Sequence, residues 1–177
     1  MNKTPRSRMK TKILIVEDNV INLKLLVQFM RKLRVRWKTA MNGQEAVNQW
    51  RTGGFHLVLM DIQLPVMNGL EATKEIRRLE ALNGIGVFSG SPIDVMQAGK
   101  AAADGDNLEK ELFKSPVIIV ALTASSLQSD RHEALAAGCN DFLTKVGRFS
   151  RLGSCARWML TCVCLDSRST SRGWSAK

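Results

Sequence analysis

Short apolar runs alternate along the chain with segments whose apolar residues recur at helical spacing, and this alternation predicts strands separated by helices. The runs predicted as strands span residues 13–16, 37–41, 55–60, 117–122 and 142–143. Four helices are predicted. The first two follow Asn19 and Asn42, which can cap them, and the third begins near Leu70. Ser126 or Ser129 can cap the fourth. Five strands in this alternation predict an α/β fold with a doubly wound, five-stranded parallel sheet.

Two stretches interrupt the pattern. Residues 83–114 contain five glycines, and their apolar residues show no sustained periodicity. This composition predicts a flexible insertion before the fourth strand, within which residues 106–113 could form a short helix. Residues 146–177 contain scattered serines and arginines and an apolar clump at 158–165 without a single apolar stripe. We therefore divide the chain into a basic N-terminal tail (1–11), one domain (12–145) and an atypical tail (146–177).

The formal net charge of +10 comes from the two ends of the chain. Residues 13–145 carry fifteen basic and fifteen acidic side chains, so the body of the domain is neutral. A neutral body argues against a groove that binds nucleic acid. No apolar run approaches the ~18 residues of a membrane span, and the basic N-terminus is not followed by the apolar region of a secretory signal. We expect a cytoplasmic or nuclear protein with no nucleic-acid or membrane partner.

Acidic side chains directly follow two of the predicted strands. Glu17 and Asp18 follow the first strand, and Asp61 follows the third. Because the carboxyl ends of parallel strands meet at one edge of a sheet, these carboxylates should meet there. Carboxylates crowded in this way repel one another unless a divalent cation lies between them, and their hard oxygens suit Mg²⁺. Thr123 and Lys145 fall at or just beyond the ends of the last two strands, on the same rim.

Four segments carry a resemblance to a known family: ILIVEDN at 13–19, LVLMDIQLPVMNG at 57–69, VIIVALTA at 117–124 and CNDFLTK at 139–145. Together they resemble the receiver domain of two-component response regulators, which has a flavodoxin-like parallel sheet. The long insertion and the sequence SSLQSDR, which follows residue 124, are similar to those of the fungal osmotic-stress response regulators. The resemblance implies a histidine-containing phosphotransfer protein or a histidine kinase upstream, and a MAP-kinase kinase kinase downstream. It also implies that phosphorylation switches the output off.

The resemblance further implies a role for each residue on the rim. Asp61 would accept a phosphoryl group from a phosphohistidine, while Lys145 and Thr123 would contact phosphoryl oxygens. Phe142 would be the switch aromatic, which rotates into the space that opens behind Thr123. The implied ligands of Mg²⁺ are Glu17 through a water molecule, Asp18, Asp61, and Gln63 through its carbonyl.

The chain departs from the family's pattern after Lys145. Family members usually have proline at the next position, joined by a cis peptide, whereas this chain has Val146. A cis bond before a residue other than proline costs about 2.5–4 kcal/mol, so we expect a trans bond and a less well aimed Lys145. The tail at 146–177 replaces the expected last helix, which predicts a poorly covered sheet face and a less stable body. A shifted reading frame, a retained intron or a wrongly assigned gene end would each produce such a tail.

Two other functions are compatible with parts of the sequence. An inactive pseudo-receiver, or a truncated product that acts only as a binding module, is favoured by Val146 and the tail. It is opposed by the intact set of five residues on the rim, which are Glu17, Asp18, Asp61, Thr123 and Lys145. A DNA-binding regulator would need a partner or a missing segment, because no helix-turn-helix pattern follows the domain. Slow hydrolysis of an aspartyl phosphate is expected from the family's chemistry, but we do not expect an enzyme.

Overall fold

The five predicted strands form one parallel sheet in the order β2-β1-β3-β4-β5. The structure is a computed structural model that describes residues 11–86, 108–113, 115–124 and 127–145. Its strands are β1 Lys12–Val16, β2 Arg36–Ala40, β3 Leu57–Asp61, β4 Ile118–Thr123 and β5 Asp141–Thr144. Its described helices are α1 Val20–Leu33, α2 Gly43–Arg51, α3 Gly69–Leu82 and α4 Gln128–Ala136. The predicted doubly wound α/β fold is confirmed.

The strand order places a switch point between β1 and β3. The chain runs outward from β1 to β2, crosses back to pair β3 with the other side of β1, and continues outward through β4 and β5. Crossovers on the two sides of β1 therefore cover opposite faces of the sheet and leave a crevice at the carboxyl ends of β1 and β3. The segments after these two strands thus lie where such sheets bind ligands.

The sheet is buried on both faces, which explains its continuously apolar central strands. Leu14 of β1 belongs to the core cluster that contains Trp50 of α2 and Ile76 of α3. Its neighbour Ile15 belongs to the opposite cluster, which contains Met30 of α1. Adjacent residues of a strand point to opposite faces, so each face has a separate core. None of the described helices is long and apolar enough to cross a membrane.

Asparagine side chains begin three of the helices. Asn19 Oδ1 accepts a hydrogen bond from the Ile21 amide at 2.9 Å, and Asn42 Oδ1 accepts from Glu45 at 2.8 Å. Both predicted caps are therefore confirmed. Asn68, predicted only as part of a turn, forms a capping box at the start of α3.

Helix α4 begins differently from the prediction. Its N-cap is Leu127, which has no side chain able to accept a capping hydrogen bond. Ser129 lies inside the helix, and Ser126 lies outside the described residues, so the prediction that one of these serines caps α4 is wrong. Ala134 of this helix packs in the core cluster on one face of the sheet, and such packing supplies most of the stability of helices in proteins.

The described ends of the predicted insertion contact each other, and the second end also contacts the rest of the domain. Leu108 donates its amide to Asn83 Oδ1 at 3.1 Å, and the Gly54 amide donates to the Leu112 carbonyl at 3.2 Å. The ring of Phe113 lies 5.0 Å from that of Trp50. A 3-10 turn over Lys110–Leu112 stands where a short helix was predicted. Residues 87–107 and the tail at 146–177 lie outside the described residues, so the flexible insertion and the poorly covered sheet face remain predictions.

Arg77 of α3 ties three parts of the chain together. Its Nε donates to the Gly138 carbonyl at 2.9 Å, and its Nη2 donates to Asn140 Oδ1 at 2.7 Å. Its Nη1 donates to the Val117 carbonyl at 2.9 Å and to Glu80 Oε2 at 2.5 Å. Glu80 in turn accepts from the Val117 amide at 2.7 Å. This network joins α3 to the approach to β4 and to the loop that leads into β5.

Candidate functional site

The three predicted carboxylates meet at the switch point. Oxygen atoms of Glu17, Asp18 and Asp61 all lie within 4.8 Å of one another. Glu17 and Asp61 are 1% and 2% exposed, whereas Asp18 lies open to solvent. The parallel pairing of β1 with β3 causes this meeting, because Val16 pairs with Met60 and the acidic residues come next along each strand.

Lys145 reaches into this acidic cluster from the end of β5. Its Nζ lies 2.5 Å from Asp61 Oδ2 and 3.0 Å from Glu17 Oε2. Its backbone amide donates to the Thr123 carbonyl at 2.7 Å, which continues the pairing of β4 with β5. The amine therefore reaches both buried carboxylates. The expected trans bond before Val146 and the less accurate aim of Lys145 stay predictions. Val146 itself lies outside the described residues.

Burial and charge act in opposite directions on the two partners. Burial is the largest influence on Asp61 and, with the nearby charge of Glu17, raises the pKa of Asp61 although Lys145 and the Gln63 amide oppose it. Burial disfavours the charged amine of Lys145, but the hydrogen bonds and charges of Asp61 and Glu17 outweigh it and raise the pKa of Lys145. The Asp61 side chain is 3% exposed and that of Lys145 17%, so desolvation weighs more on the carboxylate.

The backbone after Asp61 folds closely around it. The Gln63 amide donates to Asp61 Oδ1 at 3.2 Å, so Gln63 lies beside the site as predicted, with its side chain exposed. A Cβ at Gly69 would lie 1.9 Å from the Asp61 carbonyl oxygen, so only glycine fits at this close approach. The sequence had indicated a turn at Gly69 but not this contact with the site.

Thr123 lies on β4, the strand next to that of Asp61, and Phe142 lies on β5, one strand further away. Asp61 pairs with Leu122, and Thr123 is the next residue of β4, with 6% of its surface exposed. Phe142 is half-buried in β5 and packs against the core below the rim. The guanidinium carbon of Arg131, on α4, lies 5.0 Å from the centroid of its ring. Glu17, Asp18, Asp61 and Lys145 thus form one cluster, with Gln63 and Thr123 adjacent in the chain fold and Phe142 further from it.

Asn22 belongs to the site although the sequence did not single it out. Its Nδ2 donates to Glu17 Oε1 at 3.0 Å from the first turn of α1. A signal was available, because Asn22 lies three residues after the cap Asn19 and one helical turn places it back over the strand end. In the sequence, however, an asparagine within a helix is also an ordinary solvated residue.

The acidic cluster fits a divalent cation. It offers three carboxylates within 4.8 Å of one another, and the single amine of Lys145 leaves two negative charges uncompensated when all three are ionised. Hard carboxylate oxygens in this number suit Mg²⁺, which is usually bound by one or two carboxylates together with water and phosphate oxygens.

A five-stranded parallel sheet with an acidic cluster at its switch point and a lysine after its last strand defines a receiver-type signalling domain. The chain belongs to the response regulator receiver domain family, whose family model matches residues 13–112. It is 60% identical over 172 residues to response regulator SSK1 of Verticillium dahliae, covering 92% of this chain and 21% of that protein. It is 50% identical over 136 residues to the osmolarity two-component system protein SSK1 of Saccharomyces cerevisiae, covering 77% of this chain and 18% of that protein. The chain thus spans about a fifth of the length of these relatives.

Two solved structures resemble the chain over most of its length. One is the receiver domain of Ssk1 from Saccharomyces cerevisiae, co-crystallised with the histidine phosphotransfer signaling protein Ypd1. It has 42% identity and a TM-score of 0.71, and the match covers 93% of this chain and 97% of that one. The other is the receiver domain of the sensor histidine kinase PA1611 from Pseudomonas aeruginosa, with a magnesium ion in its active site cleft. It has 28% identity and a TM-score of 0.58, covering 86% of this chain and 97% of that one. The predicted resemblance to fungal osmotic-stress response regulators is confirmed.

Proposed function

We propose that this domain is the phosphoacceptor of a histidine-to-aspartate phosphorelay and that Asp61 receives the phosphoryl group. The observation that carries the proposal is the Asp61 side chain, held at the switch point between the carboxylates of Glu17 and Asp18 and the amine of Lys145. Burying a carboxylate among like charges costs free energy. Groups perturbed in this way cluster at functional sites, and the function proposed for Asp61 is to accept a phosphoryl group.

The transfer needs in-line geometry and neutralisation of charge more than covalent activation. A carboxylate oxygen of Asp61 attacks the phosphorus of a phosphohistidine; the O–P bond forms as the N–P bond breaks, and the electron pair stays on the imidazole, which takes a proton from solvent. Lys145 then leaves Asp61 to hold a phosphoryl oxygen as a point charge. Thr123 donates its hydroxyl to another oxygen, and the Ala124 amide lies next to it in the chain.

Mg²⁺, when bound, neutralises charge on the transferring phosphoryl group. Asp18 and Asp61 would hold it directly, Glu17 through a water molecule, and the Gln63 carbonyl would complete the protein's share. The chain's own part is to keep these oxygens together against their repulsion. Its backbone does this through the paired ends of β1 and β3.

Exposed apolar residues beside the cluster favour a protein as the phosphoryl donor. Val20, Ile21 and Leu25 lie on the outer side of α1 and are 52%, 71% and 44% exposed. They follow Asp18 within two turns of helix, so a partner seated on them would overhang the acidic cluster. We propose that this partner is a histidine-containing phosphotransfer protein or the receiver-facing part of a histidine kinase. The similarity to the Ssk1 receiver, co-crystallised with Ypd1, supports the first.

The proposed output is a protein contact that phosphorylation changes. Thr123 moves toward the phosphoryl group, and the ring of Phe142 rotates into the space behind it, which reshapes the surface of α4 and β5. The name of the Saccharomyces cerevisiae relative places that protein in osmolarity signalling, and we propose a MAP-kinase kinase kinase as the protein that reads this surface.

Phosphotransfer from a labelled phosphohistidine carrier tests the proposal and its need for metal. We expect the chain to acquire a label that alkali and hydroxylamine release, as an acyl phosphate should. Removing Mg²⁺ with a chelator should reduce the labelling to background, and added Mg²⁺ should restore it, because the single amine of Lys145 cannot offset the charge of three carboxylates and a phosphoryl group. A chain that binds Mg²⁺ but takes no label would instead be the pseudo-receiver that acts only as a binding module.

Arg131→Ala tests the switch. The guanidinium 5.0 Å from the Phe142 ring favours the ring's present position, and such a contact is worth about 0.5–1 kcal/mol at an exposed site. Its loss should make the switched state easier to reach and tighten beryllofluoride binding about twofold to fivefold, measured by titration in Mg²⁺. His132→Ala, the next residue on α4, is the control. Equal binding by both variants would mean that Phe142 is simply a packed side chain.

A further inference from the structure

Glu17 receives two side-chain donors in the part of the chain that the structure describes. Lys145 Nζ contacts both of its oxygens, at 3.2 Å and 3.0 Å, and Asn22 Nδ2 donates to Oε1 at 3.0 Å. Glu17 is 1% exposed, so water reaches it poorly and its direction depends on these two partners. The two donors differ, because Lys145 also contacts Asp61 and Asn22 does not.

The position of Asn22 is held independently of Lys145. Its backbone amide donates to Asn19 Oδ1 at 3.3 Å, within the capped first turn of α1. Asparagine is a weaker helix former than alanine or leucine, because its side chain competes for backbone hydrogen bonds. Here that side chain instead points back to the end of β1. The cap and the side-chain bond together join the start of α1 to Glu17.

The transfer step separates the roles of the two donors. When Lys145 turns to a phosphoryl oxygen, Glu17 loses the amine that it shares with Asp61. Asn22 is then the remaining side-chain donor to Glu17 among the described residues. Because it occupies only Oε1, it leaves the other oxygen free to face a cation.

We propose that Asn22 is a positioning residue of this site, which keeps the Glu17 carboxylate aimed at Mg²⁺ when Lys145 moves to the phosphoryl group. This inference rests on the proposed function and adds to it a residue outside the rim predicted from the sequence. Partners that orient metal-binding groups in this way typically change metal affinity by 10–100-fold when they are removed.

Titration of Asn22→Ala with Mg²⁺ in the presence of beryllofluoride, measured by calorimetry, tests the inference, because the phosphoryl analogue draws Lys145 away from Glu17. We expect the dissociation constant for Mg²⁺ to rise about tenfold. Phosphotransfer should need correspondingly more Mg²⁺ for half of its maximal rate but recover most of that rate when Mg²⁺ is saturating. A merely structural role would lower the maximal rate and the melting temperature without moving the Mg²⁺ midpoint. Asn48→Ala, an exposed asparagine on α2, is the matched control and should leave the midpoint unchanged.

Asn22→Ser provides a second variant if the alanine substitution prevents folding, because its short hydroxyl cannot reach Glu17 across the same gap. Wild-type and Asn22 variants that bind Mg²⁺ equally well would overturn this inference and leave the proposed function standing. A wild-type chain with no saturable response to Mg²⁺ would overturn both. Weaker Mg²⁺ binding by both Asn22 variants, with the Asn48 control unchanged, is the result that the geometry predicts.

Discussion

Asp61→Asn should reduce phosphoryl transfer to this chain to background while leaving the domain folded. Asparagine has nearly the shape of aspartate but lacks the nucleophilic carboxylate oxygen, so no acyl phosphate can form. The substitution also removes a buried negative charge next to Glu17, whose repulsion contributes to the raised pKa of Asp61. The ion pair between Lys145 and Glu17 remains available to the variant.

The measurement is time-resolved labelling by a phosphohistidine carrier, with circular dichroism to verify the fold. Asp141→Asn is the matched control, because Asp141 lies at the beginning of β5 and away from the carboxyl ends of the strands. We expect this control to take up label at close to the wild-type rate. Labelling of the Asp61 variant at the wild-type level would place the phosphoryl group on another residue and refute the proposed acceptor.

Arg77→Ala should lower the free energy of unfolding by about 3 kcal/mol. This is the lower end of the effect of about 3–5 kcal/mol that is typical when one partner of a buried ion pair is removed. Arg77 donates to two backbone carbonyls and to Asn140, and its ion pair with Glu80 has side chains only 23% and 5% exposed. Without it, Glu80 keeps the Val117 amide but loses its cation. The loop that contains Gly138 also loses its attachment to α3.

Urea unfolding monitored by circular dichroism measures this effect, and Arg78→Ala is the control from the next position of the same helix. Arg78 pairs with Glu75 on the surface, with 48% of its side chain exposed. Exposed pairs are worth at most about 1 kcal/mol, so the control should change the free energy of unfolding by much less. Similar values for the two variants would mean that the Arg77 network contributes no more than a surface pair.

Most of the fold and much of the site could be predicted from the sequence because the signals were local. The apolar runs of β1 and β3 are long enough to be recognised and are followed directly by Glu17, Asp18 and Asp61. Once the sheet is known to be parallel, the meeting of these carboxylates follows from its geometry. The caps Asn19 and Asn42 were predictable for the same reason, since an N-cap contacts residues within one turn.

Prediction failed where long-range packing decided the outcome. Helix α4 begins at a leucine without a capping side chain, and its Ala134 packs in the core cluster. The contact of Lys145 with Asp61 spans 84 residues, and the pairing of β5 with β4 brings Lys145 to the site. No local pattern of residues specifies such a contact.

The sequence by itself determined that the chain forms a parallel α/β sheet with three acidic residues at one edge, because strand periodicity and the residue after each strand are properties of neighbours in the chain. Only the tertiary structure decided which side chains hold those acids in place. Asn22 reaches Glu17 because α1 packs against β1, and Lys145 reaches it from the end of β5, which pairs with β4. Arg77 finds its carbonyl partners 40 and 61 residues away. Such contacts depend on how whole elements pack, which no local pattern of residues specifies.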